Sequence, residues 1–197
     1  MTSNVRPFGL GVMLGITALQ APAWGAEPLH YSFTPESTVT YRVSHPLHGA
    51  TGVSHQLSGA VSITPGTSPE LVLPLRFTVP LASFDSGNRN RDRNMLSVMS
   101  AARYPEAILV IERVSWVNKQ TSGSQTRAEG TGTGTLTLRG MSRPITVSLS
   151  GSLNGPRLEV TSRFSVLLSE YGIERPSLLF RPIDDRVDLE IMGIAAR

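Results

Sequence analysis

The strongest constraint on this chain is a two-residue rhythm. Leu71, Leu73, Leu75, Phe77, Val79 and Leu81 place an apolar side chain at every second position. Such a run turns one face to a core and the other away from it, as a half-buried β-strand does. The rhythm returns at Val39, Tyr41 and Val43, at Leu57, Gly59, Val61 and Ile63, at Ile145, Val147 and Leu149, and at Val187, Leu189 and Ile191. Leu158, Val160, Phe164 and Val166 fit one long strand or two broken ones. Pro65-Gly66 and Asn154-Gly155 are turn signals, the second that of a two-residue hairpin. Pro74 and Pro80 lie on the opposite phase of the first run, which predicts an edge-like or bulged stretch there. Ala107 to Val114 reads as a further strand, Asn118 to Gly130 as a polar turn or hairpin loop, and Thr131 to Leu138 as a strand of alternating Thr and Gly. One segment is helical in period: between Ser86 and Arg103, Met95, Leu96, Val98, Met99 and Ala102 recur at three- and four-residue spacings, and Pro105 ends it. About eight strands, one or two short helices and no βαβ rhythm predict an antiparallel barrel or sandwich. No internal repeat or linker divides it.

The first residues follow a different logic. Arg6 precedes an apolar run from Phe8 to Ala21, and small residues cluster at Ala21, Ala23, Gly25 and Ala26. This is the layout of a secretory signal peptide. The run falls short of the ~20 apolar residues that span a bilayer. Residues 1–26 are therefore read as a signal peptide, cut after Ala23, Gly25 or Ala26, and residues 27–197 as one exported domain without a transmembrane span. The chain has no cysteine, so disulfides and thiolate metal sites are excluded. Export without cysteine favours a bacterial periplasm.

Composition and motifs narrow the chemistry. The basic residues are 17 arginines and one lysine, Lys119, and the formal net charge is only +3. Only Arg89, Arg91 and Arg93 cluster, and Asp92 interrupts them. Without a basic helix or aromatic platform, no nucleic-acid partner is expected. His45, His48 and His55 lie close in sequence with no acidic residue among them, so they read as turn and rim histidines rather than metal ligands. Adjacent carboxylates such as Asp184 and Asp185 point to opposite faces of a strand and make a poor acid–base pair; a solvated turn fits them better. No Gly-x-Ser-x-Gly elbow and no Gly-rich phosphate loop is present. No cofactor, metal or catalytic residue is expected. Small strand residues, Gly59, Ala60, Gly130, Gly132 and Gly134, either leave room in a lumen or permit strong coiling.

The motifs also carry a family resemblance. SxVxYxVxH from Ser37 to His45, the segment DSGNRNRD from Asp85 to Asp92 with a short helix and RYPEA, GTGTLTLRGMSRPITV from Gly132 to Val147, EYGIERP from Glu170 to Pro176 and DDRVDLEI from Asp184 to Ile191 resemble, in order, the YceI-like family. The resemblance implies an all-β, eight-stranded antiparallel, lipocalin-like barrel that holds an isoprenoid chain in an apolar tunnel, commonly in the periplasm. On that reading the ligand packs against Val43, Leu57, Val61, Phe77, Val79, Leu136, Leu138, Phe164, Val166, Leu189 and Ile191, with Met95 and Met99 adapting to its shape. Arg89, Arg91 or Arg93 would meet an anionic head group. The partner is an isoprenoid-like lipid or amphiphile; a homodimer is left open. The competing expectation is a stress-protective or protein-interaction barrel filled by its own side chains. The chain departs from the family's usual pattern at Ser54, where an aromatic is common, at Leu168, where an arginine is usual, and at Ser100 and Ala101, which replace a frequent Phe-Phe pair.

Overall fold

A computed structural model describes residues 26–45, 49–178 and 181–197. Residues 1–25, and with them nearly all of the expected signal peptide, lie outside that set. The described chain forms a closed antiparallel barrel of eight strand positions. Two positions are each filled by a broken strand. The first is β1 (Leu29–Phe33) followed by β2 (Thr38–Val43), the second β3 (Ala50–Ser54) followed by β4 (Ser58–Thr64). The two-residue β5 (Glu70–Leu71) pairs with β4. Then come β6 (Leu75–Pro80), β7 (Glu106–Ser122), β8 (Gln125–Leu138), β9 (Met141–Asn154) and β10 (Arg157–Leu167). The small hairpin of β11 (Ser177–Leu178) and β12 (Arg181–Pro182) stands apart, and β13 (Arg186–Ala196) completes the barrel by pairing with β10, β2 and β1.

The break between β1 and β2 is spliced by a side chain. Thr34 N donates to Ile194 O at 2.8 Å, and the Ser37 hydroxyl both donates to Ile194 O and accepts from Ile194 N, at 3.1 and 3.0 Å. Ser37 thus satisfies β13 backbone that would otherwise lose its partner. At the second break, Gln56 N donates to Ser54 Oγ, which lies 2.6 Å from Ser83 Oγ.

The helix, α1 (Arg89–Val98), is shorter than its periodic segment. Asn88 caps it, accepting from Asn90 N and Arg91 N. Leu81–Ser83 and Leu168–Tyr171 form 3₁₀ turns. The connections split between two ends. The end of β2, α1, the β8–β9 turn and the Leu168–Tyr171 turn gather at one end, called the upper end below. The β7–β8 and β9–β10 turns and residues 65–74 occupy the lower end.

Three expectations are corrected. Asn118 to Gly130 is no loop: β7 and β8 stay paired down to Ser122 and Gln125, around a Gly123-Ser124 turn. The polar sequence hid the strands because neither face is fully apolar there, while threonine still suits a pleated backbone. The β9–β10 loop is Gly155-Pro156, one residue later than Asn154-Gly155, since Asn154 pairs with Arg157. The run from Leu71 to Leu81 is not one strand: it breaks at residues 72–74, where Val72 and Leu73 are exposed, and Pro74 can give no N–H to a ladder. Leu158 to Val166, by contrast, lies on the single strand β10.

The strand glycines act mainly through coiling. β7 carries an extra residue between Ile111 and Arg113, and another between Trp116 and Asn118. Gly134 and Gly130 face these bulges. A Cβ would sit 1.9 Å from Val110 O at Gly134 and 2.2 Å from Ser115 O at Gly130. Only glycine allows that approach.

The outward phase is charged. Glu190 on β13 takes Arg163 of β10 at 2.6 Å and Arg42 of β2 at 3.1 Å, and Asp188 meets Arg186 at 2.9 Å. Among the described residues no helix is long and apolar enough to cross a membrane.

Candidate ligand-binding cavity

The inward phase of the strands leaves two chambers in one lumen. The upper chamber has a volume of about 380 Å³ and the lower about 100 Å³. Leu57, Phe77, Leu109 and Ile191 line both and form a waist. Phe77 is steadied there by an edge contact with Phe33, ring centroids 5.6 Å apart.

All the lining residues expected from sequence except Val61 line the upper chamber. Val61 faces the lower one. Sequence reasoning missed several others. Val39, Tyr41, Leu109 and Val187 share the period-two phase and were legible on that basis. Leu81 ends the alternating run from Leu71 and was equally legible, whereas Phe84, Leu168 and Ile173 were not, because they come from turns. Leu168 and Ile173 are folded in by a local device: Leu168 N donates to Asp185 O, Ile173 N to Leu168 O, and Ser169 N and Oγ both bond the Asp185 carboxylate. Those bonds hold the Asp185 carboxyl below its ordinary range. Gly172 takes a left-handed φ of +59° at the end of this turn. Asp185 is thus a cap for the 3₁₀ turn.

The departures from the family pattern acquire meanings. Leu168 is buried in the chamber wall, so an apolar side chain replaces the usual cation. Ser54 is fully buried and spends its hydroxyl on Ser83 and Gln56. Ser100 has a positive φ of 51° just beyond α1, and its hydroxyl accepts from Arg139 Nε at 3.2 Å.

Polar groups gather where α1 meets the upper chamber: Asn88, Arg91, Asn94 and His45 are in its lining. Of the three clustered arginines only Arg91 is there; Arg89 and Arg93 are exposed, and Arg93 bonds Asn90 Oδ1. Helix geometry explains the split, since residues two apart lie on nearly opposite faces. Arg91 is braced by Ser86, from Nε to Oγ at 2.9 Å and from Nη2 to the carbonyl at 2.6 Å, while Ser86 bonds Asp92 through N and Oγ. Burial pushes the Tyr41 hydroxyl above its usual range; Asp92 adds to this, while Arg91 and a hydrogen bond with Ser86 oppose it. A backbone bridge between Val53 and Asp85, 2.9 Å in both directions, ties this segment to β3.

The histidines do not assemble. His45 lines the chamber, His55 is exposed, and His48 lies outside the described residues. Among the described residues no three His, Cys, Asp or Glu side chains come together as a metal site.

Sequence comparison decides the family. The YceI-like domain matches residues 31–194. The chain belongs to the YceI-like family. No curated protein matches it in sequence. Solved structures share its fold at low identity. BcnA of Burkholderia cenocepacia is 18% identical with a TM-score of 0.64, over 83% of this chain and 99% of that one. A polyisoprenoid binding domain from Saccharophagus degradans, implicated in plant cell wall breakdown, is 16% identical with a TM-score of 0.64, over 86% and 99%. The Campylobacter jejuni YceI protein is 17% identical with a TM-score of 0.53, over 74% and 84%. Like them, this YceI-like chain has a lipocalin-like, all-β barrel.

Proposed function

We propose that this YceI-like protein binds an apolar, isoprenoid-like lipid in the upper chamber, for storage or transport in the periplasm, and performs no chemistry on it. The observation that carries the reading is the chamber itself. Its volume of about 380 Å³ falls within the ~300–1,000 Å³ of typical ligand pockets. Its wall is mainly apolar on the strands, with Thr78 of β6 and Tyr41 of β2 as polar exceptions, and Asn88, Arg91, Asn94 and His45 gather at the α1 end. A barrel filled by its own side chains, the competing expectation, would leave no such space. The Saccharophagus relative, described as polyisoprenoid binding, supports the choice of lipid. On this reading Val43, Val79, Leu136, Leu138, Phe164, Val166 and Leu189 contact the chain, Met95 and Met99 adapt to it from the helix side, and Arg91 is the head-group residue if the head is anionic.

Purification without detergent, followed by solvent extraction and mass spectrometry, tests the reading. A co-purifying prenyl lipid is expected. A barrel that emerges empty and also rejects added polyprenols overturns it. The export reading has its own check: the periplasmic form should begin after Ala23, Gly25 or Ala26.

A further inference from the structure

The lower chamber holds an unanswered polar atom. Ser162 Oγ is, among the described residues, the one buried side-chain nitrogen or oxygen without a hydrogen-bond partner. Ser162 is 4% exposed and lines the lower chamber. It lies on the inward phase of β10, paired with Leu149 on one side and Ile191 on the other. Because Ile191 also lines the waist, the hydroxyl sits just beyond the narrowing. The other polar side chains in the lining are Trp116, Lys119, Thr126 and Ser150; Lys119 Nζ donates to Pro69 O, and the hydroxyls of Thr121 and Thr126 pair at 3.1 Å.

A buried hydroxyl without a partner costs about 1–3 kcal/mol, and nearly all such groups in folded proteins are satisfied. An ordered water would not serve well, because a buried water needs about two to four polar partners and Ser162 offers one. An apolar chain threaded through the waist would leave the hydroxyl as it is. A chain with an oxygen at its far end would satisfy it.

We propose that the lower chamber is a second compartment of the lipid site, and that Ser162 hydrogen-bonds an oxygen-bearing group at the inner end of the ligand. The inference rests on the lipid-binding reading and narrows it. The ligand is then a long apolar chain with a hydroxyl or carbonyl at the end remote from Arg91, not a plain hydrocarbon tail. The waist selects for a thin chain, and the distance from the helix end to Ser162 selects its length.

The test uses the delipidated protein, wild type and the variants Ser162→Ala and Ser162→Thr, with calorimetric titration of prenols of stepped length and the same prenols carrying an ω-hydroxyl. At the length that reaches the lower chamber, the wild type should favour the ω-hydroxylated prenol over the plain one. Ser162→Ala should lose that preference by about tenfold. Ser162→Thr, which keeps the hydroxyl, should retain it. If wild type and Ser162→Ala show the same preference at every length, the second-compartment inference falls and the lipid-binding reading stands. If the wild type binds neither series, both fall.

Discussion

At Gly134 the backbone of one strand sits where a side chain would be. The obstacle is a carbonyl oxygen of the neighbouring strand, 1.9 Å from the place of a Cβ, and a backbone atom cannot swing aside. Gly134→Ala should therefore cost about 1–3 kcal/mol, read as a lower denaturation midpoint. Glu190 illustrates a different residue-scale effect. Its bonds to Arg163 and Arg42 hold its carboxyl below the usual range. A carboxyl depressed on folding lends stability above its unfolded pKa of about 4.3, and that contribution is lost as the pH falls through the folded value. The denaturation midpoint should therefore decline in acid. Glu190→Gln should lower it at neutral pH and flatten the decline.

Among the elements, α1 combines little burial with much consequence. None of its residues is fully buried, yet Arg91, Asn94, Met95 and Val98 form the chamber's upper wall. Its N-terminus depends on the Asn88 side chain. Asn88→Ala should cost about 1 kcal/mol and speed ligand release, measurable by stopped-flow displacement. The same contrast between strand and connection decides what could be read in advance. Strands β2, β4, β6, β9 and β13 were legible because each has a single apolar phase, and that phase is the lumen wall. The lower half of β7 was not. Its bulge at Val117, which is 86% exposed, shifts the phase so that Trp116 and Lys119 both turn inward although three residues apart. Leu168 and Ile173 were hidden for a different reason: their inward turn is set by Asp185, a residue that local sequence gives no cause to connect with them.

At the scale of the molecule, the barrel separates two surfaces with opposite tasks. The outer face of β10, β13 and β2 carries the Arg163–Glu190–Arg42 and Arg186–Asp188 pairs, charges that would be costly against lipid. The apolar cavity lies inside, while the apolar side chains exposed outside, such as Val117, Met192 and Leu167, are scattered along the chain. Filling that space should abolish binding without unfolding the shell, so Leu136→Trp is expected to lose prenol affinity with its far-ultraviolet spectrum unchanged.

The splice at Ser37 has a kinetic meaning. Ser37 and Ile194 lie 157 residues apart, yet they close the ring. Contacts between such distant parts of a chain form slowly, since the entropy of closing the intervening loop must be overcome before they contribute. Half a barrel encloses nothing, so the pocket comes into being only when the whole chain has gathered. An occupant would then tighten every strand together, and would be surrendered all at once when the ring opens.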